Sequence, residues 1–128
     1  MTKSIEFYFD FVSPYSYIAH KRIRKMDKEE YIKFIYKPIL LGGLHNLIGI
    51  TAPAFINPKA KFMIRDCKMV AKKFNINFTF NPKFPIISLN LMRGFLSIKS
   101  DKKKTYINNF FDAYWCEGLN LNEELVIF

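Results

Sequence analysis

Cysteine is scarce in this sequence, and its two cysteines, Cys67 and Cys116, are far apart and outside any Cys-x-x-Cys or zinc-ligand spacing. This excludes a disulfide framework and indicates no metal site, so both thiols are predicted to lie in the core. No run of about 18 apolar residues occurs, which excludes a helix that spans a bilayer. Residues 1–4 lead straight into a predicted strand without a signal-peptide pattern, so we expect a cytoplasmic protein with no membrane partner.

Acidic residues are also in the minority, with 11 Asp and Glu against 20 Lys and Arg, for a net charge of +9. Such a charge would suit a polyanion, because clustered cations release counterions when they bind one. The basic residues, however, form two plain runs, one from Lys21 to Lys28 on a predicted solvent face and one at Lys102–Lys104. Neither run is interleaved with exposed aromatic residues, so no nucleic-acid partner is expected.

Apolar and aromatic residues are abundant. Hydrophobic residues make up 50% of the 128 residues, and 14 of them are phenylalanine. This composition excludes a disordered chain, and the length suits one domain with a substantial core. The expected fold class is α/β, because a strand–helix–strand pattern opens the chain and helical patterns follow it.

The opening strand–helix–strand pattern is read from hydrophobic periodicity. Residues 4–11 are mostly apolar or aromatic, which predicts a strand that is covered on both faces. Apolar residues at helical spacing follow from Tyr15 to Met26, and residues 31–36 then alternate as a second strand that ends at Pro38. A crossover of this length predicts parallel, neighbouring strands with a right-handed connection.

The rest of the chain has helical patterns. Helices are predicted over residues 39–48, from Pro58 to Phe74 with Asn57 as the N-cap, from Ser88 as a cap, and over residues 102–116, with Gly118 as the C-terminal signal; Asn122 would cap a last helix. The apolar stripe of the second of these helices comprises Phe62, Met63, Cys67, Val70 and Phe74, and that of the third comprises Leu89, Met92, Phe95 and Leu96.

Ser13 is the first candidate for chemistry. It follows the first strand and would be the N-cap of the first helix, with Pro14 as the first helical residue. A helix N-terminus presents unpaired backbone N–H groups and the positive end of the helix dipole, so it favours a bound anion. Stability alone favours the same two residue types, and a plain helix cap is the simpler interpretation of the local sequence.

Five motif segments follow one another along nearly the whole chain. They are Phe9 to Tyr17 (FDFVSPYSY), Lys37 to Gly43 (KPILLGG), residues 52–66 (AP, P, KF and D), residues 84–94 (FP, SL and MRG) and Ala113 to Gly118 (AYWCEG). In order and spacing, these segments resemble the 2-hydroxychromene-2-carboxylate isomerase and kappa-class glutathione transferase group of the thioredoxin superfamily.

The resemblance implies a thioredoxin-like β-α-β start followed by a helical insertion. It assigns residues 1–38 to the N-terminal β-α-β unit and residues 39–128 to the insertion, truncated at its C-terminus. Members of the group return to a second thioredoxin half, which holds a cis-proline beside the active serine and most of the contacts to the γ-glutamyl part of glutathione. The chain resembles the N-terminal portion only, so that half is expected to be absent.

The chemistry that the resemblance implies is glutathione-dependent cis–trans isomerisation of an aromatic pyruvate. Ser13 stands where redox relatives carry the first cysteine of a Cys-x-x-Cys motif, so dithiol exchange is excluded there. Its hydroxyl would donate a hydrogen bond to the glutathione thiolate, which makes Ser13 the implied catalytic and cofactor-binding residue, with no metal. The implied partner is a small aromatic carboxylate, and a homodimer or a companion C-terminal chain remains open.

Three other functions stay open: a kappa-class-like glutathione transferase, a non-catalytic remnant or split subunit, and, on charge alone, a basic module for acidic partners. Family members often carry a lysine at the position of Asn46 and an asparagine at that of Ile50, both associated with ligand contacts, and this chain departs at each. His45 is a candidate acid or base, although a lone histidine on a helix is more often exposed or packed. Trp115 is expected in the core rather than in the lining of a substrate pocket, and Asp10 either tunes Ser13 or caps a loop.

Overall fold

The computed structural model describes residues 3–26 and 31–122. It confirms the α/β class and the β-α-β start, whereas the helix predicted after Asn122 falls on residues outside this described part. The elements are β1 (Lys3–Phe9), α1 (Pro14–Met26), β2 (Ile32–Pro38), α2 (Leu41–Ile48), a 3₁₀ turn (Pro53–Phe55), α3 (Asn57–Lys73), α4 (Leu89–Ser97) and α5 (Ser100–Trp115).

The two strands pair in parallel, with Lys3 opposite Ile32 and Phe9 opposite Pro38. This confirms the predicted pairing. The prediction that β1 is covered on both faces is wrong, because its first four residues are exposed and only Phe9 is fully buried. Aromatic rings of α4 and α5, from Phe95 and Phe111, contact β1 at Phe9, so burial is concentrated at the carboxyl end of the strand.

The core is built mainly from aromatic side chains that converge where β1 meets the helices. Phe9, Phe11, Tyr17, Phe111 and Trp115 are all fully buried. Phe11 and Phe111 have ring centroids 4.8 Å apart, and an aromatic pair of this kind contributes about 0.5–1.5 kcal/mol beyond the buried area. The Trp115 indole N–H donates to the Phe11 carbonyl at 2.8 Å. The prediction of Trp115 as a core residue is confirmed.

Two predicted helix faces need correction. In α3 the helix begins at Asn57 itself, with Ile56 as the N-cap, and the buried stripe runs through Ala71, whereas Phe62 is 67% exposed. In α4 Leu91 is buried and Leu96 is 62% exposed. Both errors have one cause, because apolar spacing shows which residues of a helix can be buried but not which of them another element covers.

The end of α5 follows its sequence signal. Gly118 has a positive φ of 67°, a conformation that glycine adopts without a Cβ penalty. The Leu119 N–H then donates to the Ala113 carbonyl at 2.9 Å, which satisfies one of the last carbonyls of the helix. The predicted C-terminal role of Gly118 is therefore confirmed.

The two cysteines differ in their surroundings. Cys67 is fully buried in α3, as predicted, and burial raises the pKa of its thiol to about 11. The core prediction is wrong for Cys116, which is only partly buried because it lies at the C-cap of α5. Its sulfur lies 2.8 Å from the Tyr17 hydroxyl, beside a second cleft that also contains Lys21. Burial raises the pKa of the Cys116 thiol as well.

Candidate active site

Ser13 occupies the turn that joins β1 to α1. Its backbone N–H donates to the Asp10 carbonyl at 3.0 Å, and its carbonyl accepts from the Tyr17 N–H at 3.1 Å. Its hydroxyl oxygen accepts from the Ser16 N–H at 3.2 Å. This is the N-cap geometry that the Ser-Pro sequence predicts, with Pro14 as the first helical residue.

The Ser13 side chain is half-buried and lines a cavity of about 900 Å³. The cavity lies between the β1–α1 turn, α2, the 3₁₀ turn with the start of α3, and residues 84–88. Its volume is within the range of small-molecule pockets, which are mostly apolar with a few placed polar groups. The apolar side chains on its walls include Val12, Leu41, Phe55, Phe62, Met63 and Ile86.

Asp10 connects three walls of this cavity. The carboxylate is 1% exposed; one oxygen accepts from the Val12 N–H at 3.1 Å and from the Ser88 hydroxyl at 2.5 Å, and the other accepts from the Leu41 N–H at 2.9 Å. Hydrogen bonds to a charged acceptor are stronger than neutral ones. Within the described part of the chain, the Ser13 hydroxyl is not among its partners, so Asp10 is a cap for the turn and for the start of α2.

Ser88 has a different role from the predicted one. It occupies the N-cap position of α4, as predicted, but α4 has no side-chain cap hydrogen bond. The Ser88 hydroxyl instead donates to Asp10, which is 78 residues away in the sequence. Local sequence gave no sign of this contact, because a cap signal carries no information about a partner so far along the chain.

The wall formed by residues 84–88 is held against α5. The Asn81 amide donates to the carbonyls of Tyr114 and Leu119 at 2.8 and 2.9 Å, and Asn81 is 1% exposed. Further along this segment, Phe84 and Pro85 line the cavity, and the peptide bond between them is cis. A buried side chain with its hydrogen bonds satisfied thereby positions this part of the cavity wall.

Tyr15 joins the opposite wall to α3. Its hydroxyl donates to the Asp66 carboxylate at 2.8 Å, across 51 residues of sequence. Burial raises the pKa of the Tyr15 hydroxyl, and the hydrogen bond to Asp66 raises it further. Tyr15 therefore keeps its proton and acts here as a neutral hydrogen-bond donor that holds α1 to α3.

Two basic side chains also line the cavity, His45 from α2 and Lys59 from α3. His45 is half-buried and Lys59 is exposed. Asn46 and Ile50, the positions at which the resemblance implied ligand contacts, are exposed and are not among the lining residues. The structure therefore brings His45, and not its neighbours, to the same cavity as Ser13.

Sequence reasoning missed His20, which lies outside the cavity. It is fully buried, its Nε2–H donates to the Asn108 side-chain oxygen at 2.7 Å, and its Nδ1 accepts from the Tyr36 hydroxyl at 2.8 Å. The ring stacks on Phe111 with centroids 5.0 Å apart. Burial lowers the pKa of His20 to about 4, so the imidazole is neutral at pH 7. Its helical spacing from Tyr17 and Ile23 was the available signal.

The groups around the cavity favour an organic anion over a metal ion. Over residues 3–26 and 31–122, no group of three or more His, Cys, Asp or Glu side chains is placed to hold a metal. No helix in the same ranges is both long and apolar enough to cross a membrane. The cavity combines a hydroxyl at a helix N-terminus with two basic side chains and apolar walls. Such a site suits a ligand with an anionic group and an apolar part.

Several known proteins that are named as enzymes are similar to this chain. The chain is 26% identical over 126 residues to 2-hydroxychromene-2-carboxylate isomerase of Sphingobium xenophagum. The aligned region covers 97% of this chain and 64% of that protein. It is 29% identical over 118 residues to the isomerase of the same name from Pseudomonas putida, covering 90% and 57%. Glutathione S-transferase kappa 1 of Caenorhabditis elegans is 36% identical over 81 residues, covering 62% and 36%.

A solved structure of an isomerase of the same name is also similar to this chain. A selenomethionine form of 2-hydroxychromene-2-carboxylate isomerase superposes with a TM-score of 0.83 at 27% identity, over 95% of this chain and 61% of that one. The chain thus spans less than two thirds of the length of each of these proteins. The model of the DSBA-like thioredoxin domain matches residues 4–127. Because this match takes in almost every residue, the chain belongs to the family of DSBA-like thioredoxin domains.

Proposed function

We propose that this chain acts as a glutathione-dependent isomerase of the 2-hydroxychromene-2-carboxylate isomerase type, in which Ser13 stabilises the glutathione thiolate. The observation that carries the proposal is the position of Ser13, at the N-terminus of α1 and in the wall of a largely apolar cavity. The isomerases among the relatives support the reaction class. A reducing, cytoplasmic location is part of the proposal, because free thiols persist there.

Ser13 would act as a hydrogen-bond donor. Its oxygen already accepts from the Ser16 N–H, so its single O–H proton can point toward a ligand in the cavity. A hydroxyl donor and a helix N-terminus both favour the anionic form of a nearby thiol and so lower the pKa of that thiol. Bound glutathione would supply the sulfur that adds to the conjugated system of the substrate, allows rotation about a temporarily single bond, and leaves again.

The cavity walls would bind the rest of the substrate. Phe55 and Phe62 are each 67% exposed and line the cavity, so an aromatic ring can bury their surface and its own. Lys59 would attract a carboxylate, because Asp10 is the one acidic side chain among the described lining residues and its oxygens already have partners. The proposed substrate is therefore a small aromatic carboxylate.

A second candidate is a kappa-class-like glutathione transferase. The highest identity among the relatives described above, 36%, is to a kappa-class enzyme, over 81 residues. The two reactions are distinguished by product, since a transferase consumes glutathione stoichiometrically and an isomerase returns it. Assays with 1-chloro-2,4-dinitrobenzene and with 2-hydroxychromene-2-carboxylate, each with glutathione, would separate the two candidates.

The direct test is glutathione binding by calorimetry to the wild type, Ser13→Gly and the control Ser97→Ala, an exposed serine in α4. Glycine removes the hydroxyl but costs the helix start only a few tenths of a kcal/mol, roughly, where alanine costs about 1 kcal/mol. We expect the control to bind and turn over like the wild type, and Ser13→Gly to lose turnover while it stays folded. Unchanged turnover in Ser13→Gly would reject the role of the serine.

The same measurements address the remaining possibility of a non-catalytic remnant or a subunit that needs a partner. A folded wild type that binds no glutathione would favour that interpretation over the isomerase. Sedimentation of the full chain would then show whether it forms a homodimer, and turnover that rises with concentration would show that the dimer is the active species.

A further inference from the structure

The cavity of Ser13 contains few groups that can exchange a proton near neutral pH. Asp10 accepts three hydrogen bonds and is 1% exposed, and the Tyr15 hydroxyl is committed to Asp66. Lys59 lines the cavity with an exposed side chain, and a lysine ammonium acts mainly as a compact point charge. His45 is half-buried among the lining residues, and histidine is the residue type that most readily gains and loses a proton near neutrality.

We propose that His45 is the group that donates a proton to the substrate oxygen, and takes it back, during the isomerisation in this cavity. This inference rests on the proposed function. What points to His45 is its shared cavity with Ser13, together with the exposure of its neighbour Asn46, which does not line that cavity. The imidazole would therefore contact the reacting molecule directly.

The step balances without an oxidant or a net proton. As the sulfur of bound glutathione forms a bond to a carbon of the substrate, the electron pair of the substrate's conjugated double bond would move to its ketone oxygen. The His45 imidazolium would give that oxygen its proton. After rotation, the neutral imidazole removes the same proton, the double bond re-forms, and the sulfur–carbon bond breaks with its electron pair on sulfur. The enzyme and the thiolate return to their initial states.

The charged and titratable groups that line the cavity with His45 are Lys59 from α3, Asp10 from the β1–α1 turn and Tyr15 from α1. The Asp10 carboxylate is shielded by its three donors, and Tyr15 is neutral. Among the described lining residues the remaining charged side chain is Lys59, a cation, which cannot form an ion pair with an imidazolium. These surroundings suit a proton donor rather than a fixed ion pair.

The kinetic test compares His45→Gln with Leu47→Gln, a change at an 82% exposed α2 side chain that does not line the cavity. We expect kcat of His45→Gln to fall about 100-fold with little change in KM, and the alkaline limb of its pH–rate profile to disappear. We also expect added imidazole to restore part of the activity of His45→Ala. Equal kcat and equal pH profiles for His45→Gln and Leu47→Gln would overturn the inference.

A second measurement is independent of turnover. Ring ¹⁵N signals of both histidines are followed by NMR as salicylate, an aromatic carboxylate with a phenolic oxygen, is added together with S-methylglutathione. We expect the His45 signals to move to saturation while those of the buried His20 stay fixed. Salicylate that leaves the His45 signals unchanged overturns the inference.

A failure of the inference about His45 can be distinguished from a failure of the proposed isomerase function. If the wild type and Leu47→Gln turn over and His45→Gln does so equally, only the inference about His45 is wrong. If neither the wild type nor Leu47→Gln turns over, the proposed isomerase function is refuted, and the inference is refuted with it as a statement about proton transfer. The NMR titration then reports solely whether the imidazole contacts an aromatic anion in the cavity.

Discussion

Replacing His20 with glutamine should remove much of the acid sensitivity of folding. The wild-type imidazole is fully buried and neutral, with both ring nitrogens hydrogen-bonded and one face stacked on Phe111. Burial lowers the pKa of His20 from its ordinary value of 6.5 to about 4. The unfolded chain therefore takes up a proton at this residue at a higher pH than the folded chain does.

The sign and the size of this pH effect on the free energy of unfolding follow from proton linkage. Because the folded-state pKa is depressed, the His20 contribution is fully present above pH 6.5 and is lost as the pH falls toward 4. The loss is about 2 kcal/mol at pH 5, about 3 kcal/mol at pH 4 and at most about 3.4 kcal/mol at lower pH. Glutamine does not titrate, so the variant lacks this dependence; at pH 7.5 it should be less stable by about 1–3 kcal/mol, because buried partners lose their hydrogen bonds.

The assay is urea unfolding of the wild type, His20→Gln and His45→Gln between pH 7.5 and 5, followed by the fluorescence of Trp115. The difference in free energy of unfolding between the wild type and His20→Gln should shrink by about 2 kcal/mol over this range. His45→Gln is the control for histidine titration elsewhere in the chain. Parallel pH profiles for the wild type and His20→Gln would refute the reasoning.

Three further substitutions test other features. Ser88→Ala should cost about 1.5–3 kcal/mol of unfolding free energy, because it removes a donor to the buried Asp10 carboxylate, whereas Ser97→Ala at an exposed site should change stability by less than about 0.5 kcal/mol; equal urea midpoints for the two would contradict this role. Gly118→Ala should lower the free energy of unfolding by about 1 kcal/mol, and with it the thermal midpoint, since φ is +67° there. Gly42→Ala should raise the free energy of unfolding by a similar amount, since a Cβ at this position meets nothing within 4 Å. A higher thermal midpoint for Gly118→Ala than for Gly42→Ala would contradict the backbone conformations of these two glycines.

Local signals in the sequence were enough for the elements and for the position of Ser13. The Ser-Pro pair, the glycine after α5 and the strand–helix–strand spacing each depend on neighbours within a few residues, and the structure follows them. The burial of β1 was predicted wrongly because an apolar run shows only that residues can be buried, not that another element covers them. The division into residues 1–38 and 39–128 remains a prediction.

Contacts between distant parts of the chain could not be read from the sequence. The Ser88–Asp10 hydrogen bond joins residues 78 apart, and the His20–Asn108 bond joins residues 88 apart. The local sequence around Ser88 or His20 would be the same whichever distant residue was its partner. The catalytic role assigned to Ser13 also remains a prediction, because a helix cap and a thiolate donor have the same local geometry.

The three hydrogen bonds at Asp10 have a consequence for how a ligand enters. The turn before α1, the start of α2 and the residue before α4 all depend on one carboxylate, so the backbone around the cavity cannot open one wall at a time without leaving a buried charge short of a donor. The exposed lining side chains Phe55 and Phe62 are not tied to this carboxylate, so they can adjust to a ligand without breaking those hydrogen bonds. The interior shape is thus fixed in advance, and little ordering of the backbone has to accompany binding.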